Sequence, residues 1–342
     1  MKPATVAESY FSLSRADRKE ALKAASARIG RPAYLLEKDV WVVWTLSVLF
    51  KSAIAPSLTF KGGTSLSKAY NAINRFSEDI DLTCDIREFI PEIKAGESGI
   101  PGTASKAKKW SDKIRKSLPG WITEKVRPVL LEALKQSKLD ARLTKSGTDG
   151  EKLLIYYPPL TEGSNYVSPT VLLEFGARST GEPHEKKLIT CDMAAKMPEL
   201  IFPETTPNVM RIERTFWEKA TAIHVYCRQT EAPSVRFSRH WYDLVEISQT
   251  VYFKEAIGDR KLALSVARHK EMFFREKDVK GKPISYVDAV KGDIQLVPSG
   301  KASVDLALDY GKMTEAGLIQ NPPSFEKIMT TCGKIESQIN GE

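Results

Sequence analysis

The first fifty residues carry apolar side chains at the spacing of α-helices. Residues 14–29 alternate charged and alanine-rich positions, and Gly30 and Pro32 are expected to end this helix because neither residue continues a helix favourably. Residues 35–51 are mostly apolar, which predicts a second helix that is largely buried.

A strand-like run follows at residues 57–61, which read Ser-Leu-Thr-Phe-Lys and end at Gly62 and Gly63. Residues 64–70 have helix-forming character, so the pattern predicts a strand, a tight glycine turn and a helix. Backbone N–H groups at such a helix start form an anion site that no glycine side chain blocks. On its own, however, a glycine pair is better explained as a plain tight turn.

Acidic and apolar residues alternate at positions 79–83, which read Asp-Ile-Asp-Leu-Thr. The alternation predicts a strand with Asp79 and Asp81 on one face, close enough to share divalent cations. Together with the glycine turn just upstream, this constellation suits metal-assisted nucleotidyl transfer. A solvated edge strand with two aspartates is the alternative.

The remaining chain changes from a mixed to a helical pattern. The pattern predicts a loop at 91–105, two helices up to about residue 138, strands at 152–157 and 170–175, and helices at 213–227, 239–249 and 262–274. Prolines at positions 198, 203 and 207 favour a domain junction there. We therefore expect an α+β chain with an N-terminal domain over residues 1–205 and a mainly helical domain over residues 206–342.

The composition, with 42% hydrophobic and 27% charged residues, is that of a globular chain and excludes collagen-like, coiled-coil and wholly disordered proteins. No apolar run reaches the roughly 18 residues of a membrane span. Residues 1–3 lead into no secretory signal, so we expect a cytoplasmic protein with no membrane partner. The cysteines and histidines form no closely spaced pairs, which argues against a disulfide framework and a zinc site.

The net charge of +8 makes polyanionic partners plausible. The densest basic stretch surrounds Trp110 and contains Lys106, Lys108, Lys109, Lys113, Arg115 and Lys116. Taken by itself, this stretch is better explained as a solvated helix face than as a nucleic-acid contact.

Two motifs together resemble a known family. Lys61-Gly-Gly-Thr-Ser-Leu-Ser-Lys-Ala-Tyr70 and Arg75-Phe-Ser-Glu-Asp-Ile-Asp-Leu82 are similar to the first two motifs of the AbiEii/AbiGii toxin family, within the polymerase-β-like nucleotidyltransferase superfamily. The likeness continues at residues 36–41 (Leu-Glu-Lys-Asp-Val-Trp), 214–219 (Arg-Thr-Phe-Trp-Glu-Lys) and 239–244 (Arg-His-Trp-Tyr-Asp-Leu).

The resemblance implies roles for particular residues. It assigns the catalytic metal to Asp79 and Asp81, phosphate or transition-state charge to Lys219, and an active-site role to Asp243. The expected nucleotide-binding residues are Lys61, Gly62, Gly63, Thr64, Ser65, Ser77 and Lys219. Without the family, a salt bridge joining two helices is the better explanation of Lys219 and Asp243.

A third carboxylate is expected on a neighbouring strand in this superfamily. Glu174 is the candidate metal ligand, because a charge inside the apolar run 171–175 needs a metal or an ion pair. An interstrand pair with Arg178 or another cation is the alternative. Arg75 could neutralise phosphate, but local scaffolding explains it equally well, and His240 is expected to make a structural hydrogen bond.

The implied fold is a nucleotidyltransferase domain with a small mixed sheet flanked by helices, whose active-site cleft the helical C-terminal domain completes. The implied enzyme uses Mg²⁺, or Mn²⁺ instead, to transfer a nucleoside monophosphate from an NTP to an acceptor hydroxyl. The favoured acceptor is RNA, at the 3′ end of tRNA, which would block translation. The biological setting would be a type IV toxin–antitoxin or abortive-infection system for antiviral defence, with a cognate antitoxin as partner.

Three alternatives stay open at the level of sequence. A protein hydroxyl could be the acceptor, which would make the enzyme a protein nucleotidylyltransferase. The same metal site could serve a kinase-like phosphotransferase. A non-catalytic RNA-binding module on a nucleotidyltransferase scaffold is the third alternative.

Overall fold

The computed structural model describes residues 7–163, 167–229 and 236–341. Residues 1–3, which carry the expectation that no secretory signal is present, lie outside these ranges. The chain forms two compact units. The sheet unit comprises residues 1–69, 77–93 and 113–209, and the helical unit comprises residues 70–76, 94–112 and 210–342.

The strands are short except for one of ten residues. In chain order they are β1 (Glu8–Ser9), β2 (Leu58–Lys61), β3 (Ile80–Asp85), β4 (Arg142–Ser146), β5 (Lys152–Tyr156), β6 (Thr170–Ser179), β7 (His184–Lys186), β8 (Ile189–Thr190), β9 (Leu200–Ile201), β10 (Glu204–Thr205) and β11 (Asn208–Met210).

The helices include the long ones that the apolar spacing predicts. In chain order they are α1 (Arg15–Ile29), α2 (Ala33–Phe50), α3 (Gly62–Lys68), α4 (Ala104–Trp121), α5 (Arg127–Gln136), α6 (Ile212–Arg228), α7 (Arg239–Ser248), α8 (Phe253–Gly258), α9 (Arg260–Phe273), α10 (Tyr286–Asp288), α11 (Gly300–Glu315) and α12 (Phe325–Asn340).

Local chemistry sets the limits of the first helix. Ser14 caps the start of α1 by accepting a hydrogen bond from the backbone N–H of Asp17 at 3.1 Å. Gly30 ends the helix in the left-handed conformation, and its N–H donates to the Ser26 carbonyl at 2.9 Å. The predicted start and stop of this helix are confirmed.

The sheet unit is built on a seven-stranded mixed sheet in the order β4-β5-β6-β3-β2-β11-β7. Strands β2 and β3 are antiparallel, whereas β3 and β6 are parallel. Helix α2 packs against β6 and against helices α1 and α5. Its apolar residues Leu36, Val40 and Leu46 are fully buried, as the composition of this segment predicts.

One predicted strand begins later than expected. Asp79 lies immediately before β3, which starts at Ile80, so the prediction that both aspartates lie on the strand is wrong for Asp79. The Asp79 carbonyl accepts a hydrogen bond from the Thr64 hydroxyl at 2.6 Å. This side-chain bond takes the place of a strand partner at that position.

The helical unit is centred on α6, which packs against α7, α8 and α9. The indole N–H groups of Trp217 and Trp241 donate to the carbonyls of Ala256 (2.8 Å) and Leu296 (2.7 Å). Both indole rings are therefore core residues with satisfied polar groups, as expected for buried tryptophans. Segment 70–76 belongs to this unit and pairs with it through the N–H of Phe76, which donates to the Leu318 carbonyl at 2.7 Å.

The fold is thus an α+β arrangement with a mixed sheet and a mainly helical C-terminal part, as predicted. In the described part of the chain, every helix is too short or too polar to cross a membrane.

Candidate active site

The glycine turn and the acidic strand meet in the sheet unit. Gly62 begins α3 with a positive φ of 78°, a region that side-chain-bearing residues rarely adopt. A Cβ atom at this position would lie 2.0 Å from Oδ2 and 2.7 Å from Cγ of Asp81. Glycine is therefore required twice, once by the backbone angle and once by the approach of the carboxylate.

Two hydroxyls predicted to bind nucleotide make hydrogen bonds that hold the turn together. Ser65 Oγ donates to the Gly62 carbonyl at 2.8 Å. Thr64 Oγ1 donates to the Asp79 carbonyl and lies 3.0 Å from the Ser77 hydroxyl. Thr64 and Ser65 are fully buried, so what they do in this structure is fix the turn relative to Asp79.

Strand pairing places four charged residues in one line across the sheet. Lys61 is the partner of Asp81 on the adjacent strand, Asp81 is the partner of Glu174, and Glu174 is the partner of Lys152. Residues that pair directly across strands share a face of the sheet. This charged row, Lys61–Asp81–Glu174–Lys152, has two carboxylates flanked by two lysines.

Glu174 forms an ion pair with Lys152 on β5. The hydrogen bond that Lys152 donates to Glu174 raises the pKa of Lys152, and the charges of Asp79 and Asp81 raise it further. The cation paired with Glu174 is Lys152. Sequence reasoning did not single out Lys152, and the signal for it lies in the antiparallel pairing of two predicted strands.

A divalent metal ion would find carboxylate ligands at this site. The described ranges contain no group of three or more His, Cys, Asp and Glu side chains that could hold a metal. Mg²⁺ usually takes only one or two carboxylates and completes its shell with water and substrate phosphates. Asp81 and Glu174 are direct strand partners, and the charges of Asp79 and Asp81 both act on Lys152, so the three predicted ligands lie in one region.

A second cluster of charges lies inside the helical unit. Asp243 on α7 accepts two hydrogen bonds from the Arg75 guanidinium, at 2.6 and 2.8 Å, and one ion pair from Lys219 on α6 at 2.8 Å. All three side chains are buried. The salt bridge between two helices is thus present, and Arg75 contributes a second cation to it.

Burial and charge oppose each other in this cluster. Burial alone would raise the pKa of Asp243, but the charges of Arg75 and Lys219 outweigh it and hold the pKa below its ordinary value. Burial lowers the pKa of Lys219, with Asp243 acting against it. Asp243 is therefore an ionised carboxylate at neutral pH.

His240 lies next to this cluster on α7. Its burial, together with the positive charges of Lys219 and Arg239, holds its pKa well below the ordinary value, so the imidazole is neutral. The expected structural hydrogen bond is not formed at Nδ1, which has no partner among the described residues.

The basic stretch forms one face of α4. Ala107, Trp110, Ile114 and Leu118 are buried at a spacing of three and four residues. The six basic side chains named above are all exposed. Helix α4 therefore presents an exposed face that is mainly basic but also carries the partly buried Asp112, and Lys106 Nζ lies 4.9 Å from the centre of the Trp110 ring.

Comparison with known proteins identifies a family. The model of the family described as nucleotidyl transferase AbiEii toxin, type IV TA system, matches residues 44–331. No curated protein matches the chain. Among solved structures, MenT4, the nucleotidyltransferase toxin Rv2826c from Mycobacterium tuberculosis H37Rv, is similar at 17% identity with a TM-score of 0.49, over 96% of this chain and 90% of that one.

Proposed function

Because the chain belongs to the AbiEii family of nucleotidyltransferase toxins of type IV toxin–antitoxin systems, we propose that it transfers a nucleoside monophosphate from an NTP to an acceptor hydroxyl. The acceptor oxygen forms a bond to the α-phosphorus, the bond from this phosphorus to the bridging oxygen breaks, and pyrophosphate leaves. The hydroxyl proton passes to a base. The observation that carries the proposal is the direct approach of the Asp81 carboxylate to Gly62.

The sheet unit would bind the nucleotide and its metal. Asp79 and Asp81 would hold Mg²⁺ or Mn²⁺, which supplies positive charge to the phosphate oxygens and lowers the pKa of the attacking hydroxyl. Lys61 and Lys152, at the two ends of the charged row, would attract the triphosphate. Gly62 would let the backbone approach the phosphates without a side chain in the way.

Two assignments from the resemblance enter this proposal as predictions. Lys219 would stabilise phosphate or transition-state charge, and Asp243 would take part in the active site. The contact between Lys219 and Asp243 supports their acting together, because Asp243 holds the buried ammonium in place. The domain boundary after residue 205 is likewise proposed.

We propose RNA, and specifically the 3′ end of tRNA, as the acceptor. The net charge of +8 and the exposed basic face of α4 support this choice, since neutralising several phosphates supplies affinity for RNA of any sequence. Modification there would stop translation, which fits a toxin controlled by a cognate antitoxin in the cytoplasm and a role in antiviral defence.

The test is a transfer assay with each α-labelled NTP, Mg²⁺ and either total RNA or protein extract. The intact chain is compared with Asp79→Ala/Asp81→Ala and with the control Asp140→Ala/Glu162→Ala, which removes two exposed carboxylates elsewhere. Label in RNA with the intact chain and the control, but not with the first variant, supports the proposal. Label in protein, or transfer of γ-label instead of α-label, would replace RNA nucleotidyl transfer by another reaction.

Absence of any transfer, with RNA binding retained, would contradict the proposed activity in favour of a binding module. An equal loss of transfer activity in the control variant would show that Asp79 and Asp81 act through the net charge of the chain rather than through a metal site.

A further inference from the structure

Three consecutive charged residues lie buried on α2. Glu37, Lys38 and Asp39 are only 2%, 3% and 4% exposed. Lysine and acidic residues are almost never fully buried unless they are paired. Neighbouring residues on a helix point about 100° apart, so each of these side chains reaches a different part of the sheet unit. The three residues lie outside the range that the family model matches.

Glu37 holds the segment that follows β5. Its carboxylate accepts hydrogen bonds from the backbone N–H of Leu160 at 3.0 and 3.1 Å, and Thr161 Oγ1 lies 3.4 Å away. Burial raises the pKa of Glu37 to about 7. This contact involves neither the glycine turn nor the acidic residues beside it.

Asp39 holds the far end of the glycine-turn helix. Its carboxylate pairs with Lys68, the last residue of α3, at 2.6 Å and accepts from the backbone N–H of Asp192 at 2.7 Å. Lys68 also pairs with the Asp192 side chain at 2.7 Å. Helix α3 is therefore fixed at its C-terminal end to α2.

Lys38 holds the residue before the acidic pair. Its ammonium donates to the Glu78 carboxylate at 2.5 Å and to the Ser168 carbonyl at 2.9 Å. The next residue is Asp79, whose carbonyl is held from the other side by Thr64. Asp79 precedes the strand, so these two contacts replace the restraint that strand pairing gives to Asp81.

We propose that Lys38 is a positioning residue for the metal-binding carboxylate of Asp79. Its ion pair with Glu78 fixes the direction in which the chain enters β3, and with it the place of the Asp79 side chain. This inference rests on the proposed function, because it assumes that Asp79 binds the metal. A buried ion pair is a poor source of stability, since desolvation offsets most of the attraction.

The test separates positioning from stability with a pair of variants. Lys38→Met removes the ammonium that pairs with Glu78 in a nearly buried site, whereas Lys38→Met/Glu78→Leu removes both charges. The double variant is expected to recover thermal stability. The control is Glu37→Gln, an equally buried neighbour whose partners lie elsewhere.

Three quantities are measured on the purified full-length chain: the thermal midpoint, nucleotidyl transfer at varied Mn²⁺, and hydrogen exchange of residues 77–85. In the double variant we expect a thermal midpoint near that of the intact chain, faster exchange at residues 77–80, and transfer lowered about 10- to 100-fold with a higher Mn²⁺ requirement. Glu37→Gln is expected to keep the intact chain's transfer rate, Mn²⁺ requirement and exchange.

Recovery of activity together with stability in the double variant would overturn the inference, because Lys38 would then act on folding alone. Unchanged exchange at residues 77–80 would also overturn it. Hydrogen exchange can be measured without enzymatic activity. If the intact chain transfers no nucleotide but residues 77–80 exchange faster in the double variant, the proposed function is wrong, whereas the anchoring of this segment by Lys38 is supported.

Discussion

At Gly62, the absence of a side chain allows the Asp81 carboxylate to lie directly against the backbone of the turn. Gly62→Ala would force a Cβ to within 2.0 Å of Asp81 Oδ2 and strain a backbone whose φ is positive. We expect transfer to fall by about 100-fold, because a shift of about 1 Å in the carboxylate proposed to bind the metal has that effect. The measurement is transfer rate beside the thermal midpoint.

Gly96 offers the matched control for this substitution. It has a similar φ of 83°, but a Cβ there would meet no atom within 4 Å. Gly96→Ala therefore carries the backbone strain without the clash, and we expect it to retain transfer activity. Equal losses in the two variants would mean that strain, rather than the approach of Asp81, explains the requirement for glycine.

The stability of the helical unit is expected to depend on Asp243, because this carboxylate pairs with two buried cations. In Asp243→Asn, the buried Arg75 and Lys219 lose the carboxylate that pairs with both of them. We expect the free energy of unfolding to fall by about 3–5 kcal/mol. Urea unfolding checks this against Glu246→Gln on the same helix, a half-buried acid for which we expect a much smaller change.

Single residues also show what the sequence could and could not reveal about the site. Gly62 and Asp81 are recognisable from it because each belongs to a short local motif, and the structure brings them into contact. Lys152 is not, since its place beside Glu174 depends on the register in which two strands pair. The burial of Thr64 likewise depends on packing, as does the hydrogen bond from its hydroxyl to the Asp79 carbonyl.

Among the elements, α4 presents the face best suited to a polyanion. Its basic side chains are exposed while its apolar face is buried, so charge can be removed without disturbing the core. We expect Lys108→Gln/Lys109→Gln/Lys113→Gln to weaken RNA binding and to reduce the slope of log affinity against log salt by about two. Titrations of the RNA at several salt concentrations measure both effects.

An equal change of charge elsewhere provides the comparison. Lys19→Gln/Lys23→Gln/Lys135→Gln removes three exposed lysines on α1 and α5 and should leave the salt slope nearly unchanged. If both triple variants behave alike, α4 is a solvated face and RNA affinity arises from net charge alone.

The helices and strands with the most regular spacing of apolar residues are the easiest to predict from the sequence. Helices α1, α2, α6, α7 and α9 repeat apolar residues over several turns and lie within a few residues of their predicted limits. Strand β4 buries only Leu143, and β8 to β10 have two residues each, so no alternation marks them. Of these strands, β9 pairs with the distant β1, whereas β4 pairs with the next strand, β5, and β8 pairs with the nearby β10.

For the whole molecule, stability should decline on both sides of a mildly acidic optimum. On the acid side, the folded-state pKa of Asp243 is lower than its unfolded value near 3.9. Its ionisation therefore contributes stability that is fully present above about pH 3.9 and is lost as the pH falls through the lower folded value. Asp243→Asn removes this contribution, so its unfolding free energy should depend less on pH in the acid range.

Glu37 makes the folded chain less stable as the pH rises, because burial raises its folded pKa from 4.5 to about 7. Between these values the folded chain holds a proton that the unfolded chain has released, so stability falls as pH rises. The loss is about 3 kcal/mol and is complete above pH 7. Urea unfolding at pH 5 and pH 8 should show this loss in the intact chain and a smaller one in Glu37→Gln; equal losses in both would mean that Glu37 does not carry the alkaline decline.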